Sequence, residues 1–211
     1  LFRSYYNGYF DVVSSNIPFG NTRIYDRDFD RSDDPVRKSS LAAVHNYFFL
    51  KGMDTLREGG ILAYITTSGV MDSPQNRPVR DWLVNHANLV STIRLPDNLF
   101  TDAGTEVGSD LIILQKNSVK KRELYDYEEM FIQTGKTPIG SFENGYVGSI
   151  GMIPHSDLIR STDPYGKPAY KIMHRGDIEQ MAEDLREHLS IEMLKFDKKL
   201  YDRHSLHPAQ S

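Results

Sequence analysis

Apolar residues fall in short, dense blocks along this chain, separated by polar stretches and by glycine or proline. Phe10-Asp11-Val12-Val13, ending in Ser14-Ser15, is a β-branched block that predicts a buried strand. After Asn16-Ile17-Pro18-Phe19-Gly20, a polar segment without apolar periodicity runs to about Lys38. A helix is predicted from Pro35, with Asp34 as its cap and proline at its first position. Leu41, Val44, His45, Phe48, Phe49, Gly52, Met53 and Leu56 continue it at helical spacing until Gly59-Gly60 stops it. Residues 61–65, apolar on both faces, predict a second buried strand. Pro78 opens another helix through Val79, Trp82 and Leu83 to about His86, and residues 89–93 and 111–114 predict two more strands. This alternation of strand and helix is the pattern of an open α/β sheet with parallel neighbours over residues 10–116.

Lys116, Lys120, Lys121 and Arg122 cluster just after the last apolar block and mark a boundary. Residues 124–175 carry scattered Tyr, Gly and Pro without long periodicity, which predicts loops with a few short strands. A final helix starts at Asp177, with Gln180 completing a capping-box-like pair. Ile178, Met181, Leu185, Leu189, Met193, Phe196 and Leu200 form its apolar stripe, expected to pack against the sheet. Three regions result: residues 1–118, an irregular α+β region at 119–176, and a helix and tail at 177–211.

Composition narrows the chemistry. With 211 residues and 26% charged side chains the chain can bury a core, and no apolar run approaches the ~18 residues of a membrane span. No basic-then-apolar leader opens it, so the expected partners exclude membranes and the expected location is the bacterial cytoplasm. The absence of cysteine excludes disulfides, thiolate metal sites and cysteine nucleophiles, and the seven histidines show no ligand spacing, so no metal is assigned. A net charge of -4 gives no global basic footprint for nucleic acid. The chain opens Leu1-Phe2-Arg3 rather than with methionine, which reads as a processed, excised or incompletely represented sequence.

The sharpest chemical feature is Asn16-Ile17-Pro18-Phe19-Gly20 at the carboxyl end of the first strand, where open α/β sheets bind ligands. An exocyclic or amide nitrogen is a poor nucleophile because its lone pair is delocalised. Two acceptors that each take one N–H pull it toward tetrahedral geometry and aim the lone pair at an electrophile. Asn16 offers a side-chain carbonyl and Ile17 a backbone carbonyl. Pro18 holds Ile17 extended, Phe19 offers a face for a planar base, and Gly20 lets the chain turn. A strand-ending turn uses the same residue types.

Asn16-Ile17-Pro18-Phe19 resembles the Asn-Pro-Pro-Tyr/Phe motif of S-adenosylmethionine-dependent amino-group methyltransferases, above all the N6-adenine DNA methylases. The segments FDVVSSNIPFG, HNYFFLKGMDTLREGGILAYITTSGVMDS, VRDWLVNHANLVSTIRLPDNLF and GTEVGSDLIILQK follow the order of such enzymes. TDPYGKPAY and the terminal helix look like those of mobile-element and restriction-modification types, so the resemblance spans about residues 10–200. It implies a partial Rossmann-like, mostly parallel sheet, DNA as partner and S-adenosylmethionine as cofactor. It also implies that Asn16 and the Ile17 carbonyl hold an adenine amine while Phe19 stacks on a base flipped out of the duplex. Gly20, Thr66 and Ser68 would border the pocket; Phe100 is either a second base contact or a core or rim residue.

Two departures qualify the resemblance. Ile17 stands where the family has its first proline, at a position whose role is a backbone carbonyl. The family's cofactor-binding glycine loop precedes the catalytic motif, yet only 15 residues precede Asn16 and no G-x-G occurs. The expectation is therefore a methyltransferase fragment that does not turn over alone, with the exposed edge of the first strand covered by a missing segment or a partner chain. The alternatives are a non-catalytic DNA- or protein-binding subunit, or an enzyme acting on RNA or protein glutamine. Elsewhere, residues 20–38 balance five basic against five acidic side chains and read as a mobile solvated loop. The Lys116–Arg122 cluster is a basic patch or, as the default, a solvated loop.

Overall fold

The computed structural model describes residues 6–17, 20, 22–99, 108–120, 122–163 and 165–205. Four strands, β1 (Phe10–Asn16), β2 (Leu56–Thr67), β3 (Ala87–Leu95) and β4 (Ser109–Lys116), form one sheet in the order β1-β2-β4-β3. Helices α1 (Arg27–Asp30), α2 (Pro35–Ser40) and α3 (Val44–Thr55) separate β1 from β2 in sequence; α4 (Gly69–Asp72) and α5 (Arg77–His86) separate β2 from β3. After β4 come α6 (Asp126–Ile132), a short hairpin of β5 (Thr134–Lys136) and β6 (Phe142–Asn144), and α7 (Gly145–Ser149). A longer hairpin of β7 (Ser156–Thr162) and β8 (Pro168–His174) leads to α8 (Ile178–Glu192) and α9 (Lys198–Arg203).

The α/β expectation holds, but the sheet is only partly parallel. β1 and β2 run parallel, whereas β4 lies between β2 and β3 and is antiparallel to both. A strand buried on both faces reads as a continuous apolar run whichever way it points, so the run at 111–114 carries no direction. β1 sits at the edge of the sheet, in line with the expected exposed edge, with β2 as its one partner among the described residues; it departs from the expected burial, since Val12 remains 51% exposed.

Helix boundaries shift for local reasons. Asp34 caps α2 as expected, accepting from the Val36 N–H at 2.8 Å, with Pro35 at the first position. The helix does not run on to Gly59, because the hydroxyls of Ser39 and Ser40 turn back onto the carbonyls of Val36 and Arg37 and α2 ends there. Residues 20–38 are not a mobile solvated loop. Asp26 caps α1 and accepts from the Tyr47 hydroxyl, Asp34 accepts from Trp82 Nε1 at 2.7 Å, and Arg37 makes a two-pronged pair with Asp54.

The main core lies on one face of the sheet, where Tyr47, Phe49 and Leu50 of α3, Leu83 of α5, Phe131 of α6 and Tyr146 of α7 meet Leu62, Tyr64, Ile112 and Leu114. A smaller cluster on the other face joins Ile93 and Leu95 to Ile153 and Met181, with Leu185 and Leu189 of α8 against it. The terminal stripe is thus only partly core, since Ile178 and Met193 are exposed. Asp177 caps α8 through the Gln180 N–H, but the Gln180 side chain goes to Asp184 rather than back to the cap. The region at 124–175 also carries α6 and α7, helices too short to show periodicity.

In the basic cluster at 116–122, Lys116, Lys120 and Arg122 are internal wiring rather than a solvated loop, and Lys121 lies outside the described residues. Lys120 and Arg122 both pair with the buried carboxylate of Glu128, at 2.6 and 2.7 Å, and Lys116 donates to the Leu56 carbonyl at 2.7 Å. Lys120 also donates to the carbonyls of Val84 and Ala87.

Gly59 lies inside β2 rather than ending a helix. It has φ of 77°, and a Cβ there would stand 2.6 Å from the Leu200 carbonyl oxygen of α9. The strand bulges at this point, and α9 packs onto the bulge through Arg57, which donates to the Tyr201 carbonyl and to Asp11. Gly59→Ala is expected to destabilise the fold by about 1–2 kcal/mol from the left-handed backbone alone, with the close approach of α9 adding to it. Urea unfolding followed by circular dichroism checks this; an unchanged midpoint contradicts it.

Candidate active site at the carboxyl edge of the sheet

Because β1 and β2 are parallel, their carboxyl ends share one edge. Asn16 lies opposite Ile65, and the Ile17 N–H donates to the Ile65 carbonyl at 2.8 Å. The Ile17 side chain is fully buried in the main core. Asn16 is exposed, and no described residue hydrogen-bonds its carboxamide; its main-chain carbonyl accepts from the Ser15 hydroxyl at 3.3 Å. Gly20 has φ of 133°, a backbone region that residues with side chains rarely adopt.

Thr66 follows on β2, opposite Asp110, fully buried and with a hydroxyl that has no hydrogen-bond partner among the described residues. Ser68 is half-buried, and its N–H donates to the Gly108 carbonyl at 2.8 Å just before α4 begins. The structure thus gathers Asn16, Ile17, Thr66 and Ser68 at one edge. Pro18, Phe19 and Phe100 lie outside the described residues. The loop that follows β3 opens on the same edge, but with two strands intervening its root stands roughly 14 Å from β1, three strand spacings of about 4.8 Å.

The edge is held by a buried ionic network that motif reading passes over. Arg94 of β3 donates from Nε and Nη2 to the two oxygens of Asp110 on β4, at 2.6 and 3.0 Å, and pairs through Nη1 with Asp72 of α4 at 3.0 Å. Asp110 is completely buried and Arg94 is 8% exposed. Burial works against the Arg94 charge, but the Asp110 and Asp72 carboxylates outweigh it and raise its pKa. The sequence does hold a signal for it: an Arg directly after one run read as a buried strand and an Asp directly before another must find each other or a comparable partner.

Three residues without any local spacing also meet. His155 Nδ1 and His174 Nε2 each lie 2.7 Å from the same oxygen of Asp184, while Gln180 donates to the other oxygen. The Gly176 N–H donates to His174 Nδ1 at 3.0 Å. That network assigns the proton to Nε2, which donates to Asp184. A metal-binding imidazole needs the reverse, a lone pair toward the ion and its other N–H on an acceptor. The trio therefore works as a hydrogen-bonded clamp joining the β7–β8 hairpin to α8.

A cleft of about 680 Å³ opens at the opposite end of the sheet, between Glu58, Lys120, Arg122, Leu200, Arg203 and His204, and touches none of the predicted site residues. No helix among the described residues is long and apolar enough to cross a membrane.

Fold and edge together define an α/β protein with its candidate chemistry at the carboxyl end of an edge strand. The chain belongs to the N-6 DNA Methylase family, whose sequence profile matches residues 4–141. None of the curated proteins matches it significantly. Among solved structures it is similar to a protein of Listeria monocytogenes assigned to the class I S-adenosylmethionine-dependent methyltransferases, at 21% identity and a TM-score of 0.43, covering 55% of this chain and 34% of that one. It is similar to the M protein of the type I restriction enzyme EcoKI at 14% identity and a TM-score of 0.43, over 92% of this chain and 50% of that one. A third is the ATP-dependent type ISP restriction-modification enzyme LlaBIII bound to DNA, at 12% identity and a TM-score of 0.38, over 86% of this chain and 12% of that one. The chain thus spans about one third of the Listeria protein and half of the EcoKI M protein. These likenesses are distant, and the family membership rests on the sequence match.

Two outcomes follow from the networks. Asp110→Ala strands the Arg94 charge and should lower stability by about 3–5 kcal/mol, whereas the double change Arg94→Met with Asp110→Leu recovers most of the loss. Equal losses in the single and double variants would contradict this. Hydrogen bonds from His155 and then His174 hold the Asp184 carboxyl at about 2, against an ordinary 3.8. A depressed carboxyl stabilises the fold above its unfolded pKa and loses that contribution as pH falls through the folded one. The stability gap between wild type and Asp184→Asn should accordingly be full at pH 5 and shrink toward pH 2. A gap that stays constant over that range removes the clamp from the acid response.

Proposed function

We propose that this chain carries the amine-holding half of an N6-adenine DNA methyltransferase site. The observation that supports it most directly is Asn16. Its carboxamide stands exposed and without a protein partner among the described residues at the carboxyl end of β1, beside an Ile17 whose backbone is pinned to β2. In this reading Asn16 Oδ1 and the Ile17 carbonyl each accept one N–H of the adenine amine. Pro18 and Phe19 complete the motif, with Phe19 stacking on the flipped base and Phe100 a candidate for its other face. Gly20, Thr66 and Ser68 border the pocket in this reading.

The methyl donor that the family implies is S-adenosylmethionine. The described residues do not fit a cradle for it. The glycines that approach backbone most closely, Gly59, Gly60, Gly145 and Gly151, lie against this chain's own main chain at Leu200, Asp11, Met130 and Thr92. Of these only Gly145 opens a helix after a strand, and it does so packed against the Met130 carbonyl at the start of the five-residue α7, with the next glycine at 148 rather than in G-x-G spacing. This chain is therefore assigned the base and not the cofactor, and no turnover is expected from the 211 residues alone. The same observation favours, as the second reading, a non-catalytic subunit that contributes DNA or protein contacts. The outer edge of β1, unpaired among the described residues, gives either version a surface for another segment or chain to pair with.

The test is Asn16→Ala in the protein expressed from its complete gene, assayed for methyl transfer to adenine in duplex DNA. Loss of one oriented hydrogen bond at the reacting centre should lower turnover by about 10²-fold while DNA affinity changes little. Unchanged turnover removes Asn16 from the mechanism. Methylation of RNA or protein glutamine in place of DNA would keep the chemistry and replace the substrate.

A further inference from the structure

Residues 156–175 form a ribbon that stands apart from the rest of the chain in charge and in surroundings. Four basic side chains, Arg160, Lys167, Lys171 and Arg175, face two acidic ones, Asp157 and Asp163, a net of +2 in a chain whose total is -4. Both acids are engaged locally. Asp163 folds the turn by accepting from the Tyr165 and Lys167 N–H groups at 2.9 and 2.8 Å, and Asp157 pairs with Arg175 at 3.3 Å. Arg160 and Lys167 make no ion pair among the described residues, and the residues at 157–160 are all exposed.

The ribbon is tied down at its base. The Ile172 N–H donates to Asp97 at 2.7 Å, Asn98 exchanges two hydrogen bonds of 3.0 Å with the His174 backbone, and His155 and His174 clasp Asp184. Beyond that base β7 and β8 pair with each other out to Thr162 and Pro168, and Leu158, Ile159 and Tyr165 are 42%, 47% and 87% exposed. Beyond the tied pair Leu158–Ile172, the four remaining residues of β7 at about 3.3 Å each carry the ribbon roughly 13 Å further. Asp97 and Asn98 belong to the loop after β3, so the ribbon is rooted on the same sheet edge as Asn16.

We propose that the β7–β8 ribbon is a duplex-DNA-contacting arm in which Arg160 and Lys167 meet backbone phosphates. A two-stranded ribbon fits the ~12 Å major groove, and free cations on an otherwise acidic chain are the complement of a polyanion. The choice of DNA as occupant rests on the function proposed above; the ribbon's geometry and charge identify where it is held.

The experiment is fluorescence anisotropy of a labelled duplex of about three helical turns with the 211-residue chain, over a series of salt concentrations. Wild type, Arg160→Glu with Lys167→Glu, and Arg160→Lys with Lys167→Arg are compared, with circular dichroism confirming equal folding. Lys167→Gln, a single change at the turn, replaces the double reversal if that variant does not fold. The reversal should weaken binding by about tenfold or more and reduce the slope of log K against log salt by about two, roughly 0.9 for each phosphate no longer neutralised, while the conservative pair keeps both. Equal affinity and slope in the reversed variant overturn the proposal, as does a wild type that binds no duplex or prefers single-stranded RNA of the same length. The methylation assay is separate. A ribbon variant that binds DNA normally sinks the ribbon alone, and methylation indifferent to Asn16→Ala sinks the functional reading alone.

Discussion

The carboxyl edge of the sheet depends on one buried cation. The Arg94 guanidinium spans β3 and β4 through Asp110 and reaches α4 through Asp72, and the main-chain N–H of the same residue donates to the Gly151 carbonyl at 2.8 Å. Asp72 in turn accepts from the Asn144 N–H at 3.0 Å, which brings in the β5–β6 hairpin. Three pieces of chain, β3, β4 and α4, therefore converge on one charge that cannot be left unpaired, because an isolated ion out of water is far less stable than a paired one. A network of this kind adds little to stability compared with a well-packed apolar replacement. What it supplies is registry: β4 cannot slip against β3 without stranding both ions. Thr66, opposite Asp110, inherits its position from that registry.

Much of this fold is legible in the sequence where the cue is local. Asp34-Pro35 announces α2, Pro78 lies at the start of α5, and the apolar runs at 89–93 and 111–114 are strands. Strand direction is a relation between segments, and composition does not carry it. Connection length does: the sequence shows no helix between the runs at 89–93 and 111–114, and parallel neighbours need a crossover, most often a helix, whereas antiparallel ones do not. The candidate edge divides in the same way. Asn16 and Ile17 are found by a contiguous motif at a strand end, while His155, His174 and Asp184 come together only through a hairpin and a helix turn.

Local charge patterns mislead for a related reason. Residues 20–38 balance their charges and resemble a solvated loop, yet Asp26 and Asp34 are helix caps that also accept from Tyr47 and Trp82. Lys120 and Arg122 look like a basic patch until Glu128 is placed between them. In both cases the partner lies several residues away or on another element, and capping or pairing removes the charge from the surface. The β7–β8 ribbon is the contrasting case, because its acids are consumed in its own turn and base while Arg160 and Lys167 stay outside any such pairing among the described residues. Counting charges identifies neither situation; asking which ones are already engaged does.

The substitution of isoleucine at the second motif position can be argued through on the same physical terms. A proline there would fix the backbone by its ring, and the property that matters is the direction of the carbonyl. Here two other constraints act on the same residue: the Ile17 N–H is bonded to Ile65, which a proline has no hydrogen to do, and the side chain is locked in the main core. The carbonyl is therefore held by β2 rather than by a ring. This moves the burden of precision from the motif onto the sheet. β1 is an edge strand supported by β2 alone among the described residues, and β2 is held in register by β4, whose Asp110 is fixed by Arg94. The Asn16 backbone is consequently positioned by a chain of contacts that ends at an ion pair two strands away, so disturbance of that pair should reach the edge proposed to hold the amine before it unfolds the domain.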